Sequence, residues 1–291
     1  MAASRPADRR SSGILPVLAL VLLFLVAVTV YAVSVFRGPG EKAAPPPSCT
    51  ATADGAEYHL TPARAETAAL LAGISVRRGL PARAASIAVA TAIQESGLRN
   101  LNYGDDAGPD SRGLFQQRPS QGWGTEEQVM DPVYAANAFY DALEKVPNYA
   151  DLPLTVAAQT VQRSAFPDAY ADHEAEAKAF ASALTGHSPA GMACTLDPPS
   201  APGDPEAVLA AMTSVYGPVE ATVEGSRITV AGTGSYGWSL AEWAVASAET
   251  LSLDSVAFDE RRWTRATGTW NQAPSSGDAV VLTVFRTAEG S

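Results

Sequence analysis

The sequence has few histidines and cysteines, which bind metals, and few of the lysines and arginines that contact nucleic acid. Its 291 residues include only three histidines and two cysteines, Cys49 and Cys194. No Cys or His cluster has zinc-site spacing, and no Walker-type or GxGxxG sequence is present, so we expect no metal and no cofactor. Lys and Arg total 20 against 31 Asp and Glu, a formal net charge of −11. That excess of acid argues against nucleic acid as a partner, because phosphates require a basic face.

Residues 14–36, near the N-terminus, are mostly apolar and include no charged residue. A helix over this run would be roughly 35 Å long, enough to cross a bilayer. Three arginines precede it, and the positive-inside tendency then makes residues 1–13 a cytoplasmic tail. The sequence therefore predicts a single-pass membrane protein whose C-terminal domains are extracellular. The alternative is a cleaved signal peptide and a secreted protein.

The two cysteines predict a disulfide bond between Cys49 and Cys194. Outside the cytosol, a lone pair of cysteines that brackets a domain most often forms a disulfide. In the chain-entropy account, a loop of this length contributes about 5 kcal/mol at most. Two unrelated buried thiols are the alternative interpretation.

Segments rich in proline divide the chain. We expect a Pro/Gly linker at 37–48 and a second break where prolines cluster between Leu196 and Pro205, since proline disrupts helices and central strands. The predicted organisation is a tail at 1–13, a transmembrane helix at 14–36, a linker at 37–48, a first domain at 49–195, a Pro-rich linker at 196–204 and a second domain at 205–291.

The predicted fold class is α+β, with different patterns in the two domains. The first is mainly helical: Thr61-Pro62 begins one helix, and an alanine-rich helix that is apolar all round follows Pro81. Gly, Asn and Asp between residues 97 and 111 predict turns and a small β-hairpin region. In the second, strand-like runs alternate with helices, which predicts a small antiparallel sheet with helices packed on it.

Glu95 is the carboxylate most suited to chemistry, because it lies at the C-terminal end of the alanine-rich helix. The negative end of the helix dipole and the apolar surroundings both raise the pKa of a carboxyl group there. A proton held near neutral pH is what a general acid requires. The alternative is a salt bridge from Glu95 to Arg99, four residues further on.

Four elements follow one another in a characteristic order around Glu95. They are Glu95-Ser96-Gly97, a Gly/Asp-rich turn, the string from Ser111 to Pro119 (SRGLFQQRP), and Asp131-Pro132 followed by Asn137 and Tyr140. This order resembles the lysozyme-like superfamily, most closely its soluble lytic transglycosylases, over residues 61–184. Two departures stand out. Phe115 replaces the usual methionine, and residues 157–162 read AAQTVQ where the family usually has Ala-Tyr-Asn-Gly.

The resemblance implies that Glu95 protonates the glycosidic oxygen between the alternating amino sugars of peptidoglycan. Lytic transglycosylases need no second acid, since the substrate's N-acetyl group assists and a 1,6-anhydro sugar forms. A hydrolase needs a second carboxylate about 5–9.5 Å away. The candidates for it are Asp105, Asp106 and Asp110. Amide, hydroxyl and aromatic groups that could contact sugars are those of Ser111, Gln116, Gln117, Tyr103, Trp123 and Tyr170.

The sequence therefore predicts a bacterial lytic transglycosylase or muramidase-type glycosidase with a lysozyme-like domain at 49–195 and an accessory domain at 205–291. The predicted partners are peptidoglycan glycan strands and, through residues 14–36, the cytoplasmic membrane; no protein partner is indicated. Two alternatives remain open. One is a non-catalytic wall-binding or scaffold protein that keeps the fold, and the other is a secreted endolysin-like toxin.

Overall fold

The computed structural model describes residues 14–36, 45–106, 108–163 and 168–287. The chain divides into two units, Met1–Pro45 and Pro46–Ser291. Together the described residues form nine α-helices and two antiparallel sheets, which makes the protein α+β.

The described residues of the first unit form one helix, α1 (Ile14–Phe36). Within the described residues, no helix combines the length and the apolar character that crossing a membrane requires. The predicted transmembrane helix at 14–36 is therefore corrected. The predicted tail at 1–13 and most of the predicted linker lie outside the described residues.

The second unit begins with a β-hairpin and continues through a set of helices. The elements of its first part are β1 (Ser48–Ala53), β2 (Ala56–Leu60), α2 (Pro62–Arg77), α3 (Ala82–Ser96), α4 (Glu126–Met130), α5 (Pro132–Leu143), α6 (Leu154–Gln162), α7 (Glu174–Leu184) and β3 (Met192–Thr195). Helix α3 packs against α2, α5, α6 and α7. Its many alanines are buried and have little side-chain volume, so they allow these neighbours to approach closely.

Local sequence explains where α2 and α3 begin and end. Pro62 occupies the first turn of α2, where its missing N–H would have had no partner in the helix. Helix α3 begins after Pro81 and ends at Gly97, whose φ of 63° is left-handed. Glycine adopts that conformation at little cost, so Ser96 is the last residue of α3 and Gly97 caps it. This stop places Glu95 in the last turn.

A three-stranded sheet in the order β2-β1-β3 closes the helical part. Strands β1 and β3 pair antiparallel with Cys49 directly opposite Cys194, and the two cysteines form the predicted disulfide. The sheet thus joins the two ends of the helical part, since β1 precedes its first helix and β3 follows its last. A disulfide is typical of extracellular or secreted proteins, which fold in an oxidising compartment.

The second part of the unit is built on a six-stranded antiparallel sheet in the order β4-β5-β9-β6-β7-β8. Helix α9 packs against β6 and β9 near the middle of this sheet. The bounds of this part are α8 (Pro205–Tyr216), β4 (Ala221–Glu224), β5 (Arg227–Ala231), α9 (Gly234–Ala246), β6 (Leu253–Phe258), β7 (Arg261–Thr264), β8 (Thr269–Gln272) and β9 (Ala279–Val284).

The two parts of the unit share an interface. Helices α8 and α9 both pack against α2, so closely at Gly73 that an added Cβ would lie 2.4 Å from a methyl group of Val215. The indole N–H of Trp263 donates to the carbonyl of Cys194 at 3.1 Å, and that of Trp270 donates to the carbonyl of Met192 at 2.8 Å. Strands β7 and β8 therefore both contact β3 through its backbone carbonyl groups.

Candidate active site

A cleft of about 510 Å³ opens where α3 ends. Seven of the residues that the sequence proposed for the site line it: Glu95, Tyr103, Asp105, Ser111, Gln116, Gln117 and Trp123. Arg118, Gln162 and Arg163 also line it. The predicted β-hairpin region on this side consists of turns with two isolated bridges, Leu101 with Gly113 and Arg112 with Gln117.

The end of α3 is fixed by hydrogen bonds on both sides of Glu95. The Ser96 hydroxyl donates to the carbonyl of Leu114 at 2.7 Å, which ties the helix to the cleft-lining segment. Arg99 donates from Nε to the carbonyl of Ser96 at 3.1 Å and so caps the helix. Among the described residues Arg99 forms no ion pair with Glu95. The carboxyl group of Glu95 is thus left to other partners.

Tyr170 is the closest of these partners. Its hydroxyl is carried by a 3₁₀ turn (Ala169–His173) and donates to Oε1 of Glu95 at 2.6 Å. The Tyr170 ring is fully buried, so the hydroxyl is held in place by packing around it. Tyr170 therefore positions Glu95 from behind the cleft.

Burial raises the pKa of Glu95 above its ordinary value, and this is the largest influence on it. Hydrogen bonds from Tyr170 and Gln162 lower the pKa, while the negative charge of Asp105 raises it. The net effect is upward, because removing the carboxylate from water costs more than the two hydrogen bonds return. Half-buried Glu95 therefore keeps its proton to a higher pH than an exposed glutamate.

The segment after the turns is anchored in the core beside Glu95. Gly113 has φ of 78°, and an added Cβ would lie 2.2 Å from the carbonyl oxygen of Val129, so only glycine fits. Phe115 stacks on Phe139 with ring centroids 4.3 Å apart. The side-chain amide of Gln162 donates to the carbonyl of Phe115 at 2.8 Å. These contacts hold α6 against the cleft.

The three candidate second carboxylates lie in different surroundings. Asp105 lines the cleft with Glu95. Asp110 does not line it; its carboxylate accepts from the backbone N–H of Ser120 at 3.0 Å and from Nε of Arg118 at 2.8 Å. Hydrogen bonds from Ser120, then Arg118, lower the pKa of Asp110. Asp106 is exposed and also outside the cleft lining. The structure thus brings only Asp105 of the three to Glu95.

The candidate sugar contacts divide into exposed and buried groups. Tyr103 is the most open, with 59% of its surface exposed, whereas Trp123 is half-buried and Ser111 is buried. Gln116 donates to the carbonyl of Gly113 at 3.3 Å. Gln117 is buried and donates to the carbonyl of Ala135 at 3.2 Å, while its Oε1 atom has no partner among the described residues. The main role of Gln117 is therefore to pack in the wall of the cleft.

Sequence reasoning missed Gln162 and Arg163 as site residues. Gln162 is the last residue of α6 and of the AAQTVQ string that departs from the family's usual Ala-Tyr-Asn-Gly, and Arg163 follows it directly. The departure was itself a signal, since a polar residue near the end of that helix reaches the same carboxylate. No described cluster of three His, Cys, Asp or Glu could hold a metal ion.

Compared with known proteins, the sequence matches no family model and no curated protein sequence. A function must therefore be inferred from the geometry of the cleft.

Proposed function

We propose that this protein cleaves the glycan strands of peptidoglycan, with Glu95 as the general acid. The observation that carries the proposal is a carboxyl group with a raised pKa, half-buried at the wall of an open cleft. Such a group keeps its proton to a higher pH than an exposed glutamate does, and cleavage of a glycosidic bond requires a proton donor. The similarity of residues 61–184 to lytic transglycosylases supplies the substrate class.

In this mechanism the proton moves from the Glu95 carboxyl to the glycosidic oxygen as the bond to the anomeric carbon breaks. The leaving sugar departs with that proton as a free hydroxyl. Positive charge then develops at the anomeric carbon, and the newly ionised Glu95 lies beside it. Tyr170 and Gln162 hydrogen-bond to the Glu95 carboxylate, so they stabilise it once its proton has left.

The anomeric carbon can then react in one of two ways. Assistance by the N-acetyl group, followed by attack of the sugar's own 6-hydroxyl as its proton returns to the Glu95 carboxylate, gives a 1,6-anhydro product and needs no second acid. Attack by water gives a reducing end and needs a second carboxylate. Asp105 shares the cleft with Glu95, so it is the residue we assign to that task if water is the nucleophile.

Mass spectrometry of the products from purified bacterial peptidoglycan tests the proposal. The wild-type protein is expected to release soluble muropeptides, and anhydro or reducing ends in them identify the lyase or the hydrolase. Glu95→Gln is expected to release none above background. Glu127→Gln, which removes an exposed carboxylate from α4, is the matched control and should retain full release.

A wild-type protein that releases no muropeptide would overturn the proposal. If it still pelleted with peptidoglycan, the non-catalytic wall-binding alternative would replace it. Full release by Glu95→Gln would contradict the assignment of the general acid. Because a disulfide is typical of proteins outside the cytoplasm, we place this activity on the outer side of the cell, at the wall.

A further inference from the structure

The cleft contains two arginines that differ in how they are paired. Arg118 donates to Asp110 at 2.8 Å, so its charge is balanced by a carboxylate. The guanidinium of Arg163 makes no ion pair and no side-chain hydrogen bond with any other residue that the structure describes. Of the two arginines in the cleft, Arg163 is therefore the one without a carboxylate partner in the described part of the chain.

The backbone holds Arg163 at this position. Helix α6 ends at Gln162, and Arg163 comes next in the left-handed region, with φ of 55° and ψ of 39°. A residue other than glycine rarely adopts that conformation, so surrounding contacts must maintain it. The neighbouring Gln162 is fixed through its bonds to Phe115 and Glu95. Arg163 is thus next in sequence to a residue that touches the general acid.

The charge of the whole chain makes a local cation significant. The formal net charge is −11, and the first 37 residues contain four arginines and one aspartate, so the rest of the chain is still more acidic. A field of this sign repels an anionic polymer at long range. Short-range pairing inside the cleft must then supply the attraction, and an arginine fork is well suited to a carboxylate.

We propose that Arg163 binds a carboxylate of the substrate and makes the cleft selective for acidic glycans over neutral ones. This inference rests on the proposed function and names its substrate class. In peptidoglycan strands every second sugar carries a lactyl group, which is a free carboxylate where no stem peptide is attached and bears the carboxylates of the stem peptide where one is. A neutral polymer of N-acetylglucosamine carries none, although its sugar rings and acetamides are alike.

Binding of matched glycan fragments tests the selectivity. The ligands are a soluble peptidoglycan fragment with free carboxylates, the same fragment with its carboxylates converted to methyl esters, and a chitin oligosaccharide of equal length. For Arg163→Gln, the Kd of the acidic fragment is expected to rise about 10-fold, since a charge-assisted pair is lost. The Kd values of the two neutral ligands are expected to change less than about 2-fold by the same reasoning.

Two further variants test whether the affinity for the acidic fragment comes from the guanidinium of Arg163 itself or from the net charge of the protein. Arg163→Lys keeps the charge without the fork and is expected to recover part of the affinity for the acidic fragment. Arg262→Gln removes one exposed positive charge on β7, outside the cleft lining, and is expected to bind all three ligands as the wild type does. Turnover of the acidic fragment by Arg163→Gln should show a raised KM with kcat nearly unchanged.

The outcomes distinguish this inference from the function on which it rests. An equal loss of affinity for the acidic and the neutral ligands in Arg163→Gln would mean that Arg163 has a structural role, and it would overturn the inference. Unchanged binding of both the acidic and the neutral ligands by Arg163→Gln would also overturn the inference. Cleavage of peptidoglycan by the wild type would in that case still support the proposed function. A wild-type protein that neither bound nor cleaved any fragment would overturn both.

Discussion

Glu95 and Glu242 are both withdrawn from water, and they differ in what surrounds them. Glu95 lies in the last turn of α3 beside an open cleft, and a side-chain hydroxyl is its main partner. Glu242 is 0% exposed within α9, and its Oε1 accepts from the backbone N–H of Met192 at 3.4 Å. Its Oε2 has no partner in the described part of the chain.

Burial is the largest cause of a raised pKa at both glutamates. The backbone amides of Met192 and Gly191 oppose the rise at Glu242. A raised pKa alone therefore does not mark a catalytic group, because Glu242 has no solvent route to a substrate. The cleft beside Glu95 makes the difference, since it lets a ligand reach the proton. We assign Glu242 to the contact between α9 and the disulfide-bonded strand β3.

The same substitution at both positions gives the strongest test of this difference. Glu95→Gln removes the proton donor and is expected to lower the rate of glycan cleavage by at least about 100-fold. Glu242→Gln keeps a neutral side chain of the same shape in a closed site, so its cleavage rate is expected to stay within about 3-fold of wild type. Initial rates of muropeptide release, measured on folded protein checked by circular dichroism, give both values. A large loss of rate in both variants would remove the distinction.

Removal of the disulfide should affect the surroundings of Glu242 before those of Glu95. Replacing Cys49 and Cys194 by serine is expected to lower the free energy of unfolding by about 3–5 kcal/mol, because the unfolded chain regains the freedom of a long loop. Chemical denaturation measures this change. Hydrogen exchange should show faster opening at β3, where Met192 contacts Glu242, than at α3. Equal loss of protection in both elements would mean that the disulfide stabilises the whole unit uniformly.

Stability at different pH values should also separate Glu242 from a surface carboxylate. Since its folded-state pKa lies above the unfolded value, the folded protein keeps the proton longer than the unfolded chain. Unfolding free energy is therefore highest below the unfolded pKa and falls as pH rises toward the folded pKa. The Glu242→Gln variant has no proton to lose at this position, so its free energy of unfolding is expected to rise relative to that of the wild type as pH increases. The total gain is about 1.4 kcal/mol for each unit by which folding raises the pKa of Glu242.

Denaturant titrations at pH 4, 6 and 8 check the pH dependence of Glu242. The control is Glu127→Gln, because that glutamate is exposed on α4. Its stability difference from wild type is expected to stay constant with pH. A constant difference for Glu242→Gln as well would mean that the carboxyl reaches solvent in the folded state.

Much of the fold could be predicted where local residues decide it. Thr61-Pro62 and Gly97 mark the start of α2 and the end of α3 in the structure. The three-stranded sheet was missed, because β1 and β3 pair across most of the helical part and no local pattern encodes that pairing. Helix α9 begins at Gly234, although glycine is a poor helix former. Gly237 is required there, since an added Cβ would lie 2.1 Å from the ring of Phe258.

The environment of Glu95 could be predicted in part from the sequence, whereas its hydrogen-bond partners could not. The helix end and the alanine-rich surroundings of Glu95 predict a raised pKa, and burial does raise it. Tyr170 contacts Glu95 across 75 residues of sequence, so only the packed fold reveals the hydrogen bond. Asp110 was a reasonable candidate in a Gly/Asp-rich segment, yet the structure ties it to Arg118 and Ser120. Turn residues serve backbone geometry as often as chemistry, which is why sequence alone could not separate them.

Glu95 also differs from Glu242 in its hydrogen bond from the hydroxyl of Tyr170, and removal of that hydroxyl has the smallest expected effect. Tyr170→Phe removes a hydrogen bond that lowers the pKa of Glu95, so that pKa is expected to rise further. The acid then stays protonated to higher pH, and the basic limb of the pH–rate profile should move upward. We also expect kcat to fall about 10-fold, because Glu95 loses the group that positions it and stabilises its anion. Tyr103→Phe, at the exposed side of the same cleft, is the control and should leave the limb in place. A lower rate with an unmoved basic limb would mean that Tyr170 acts through packing alone.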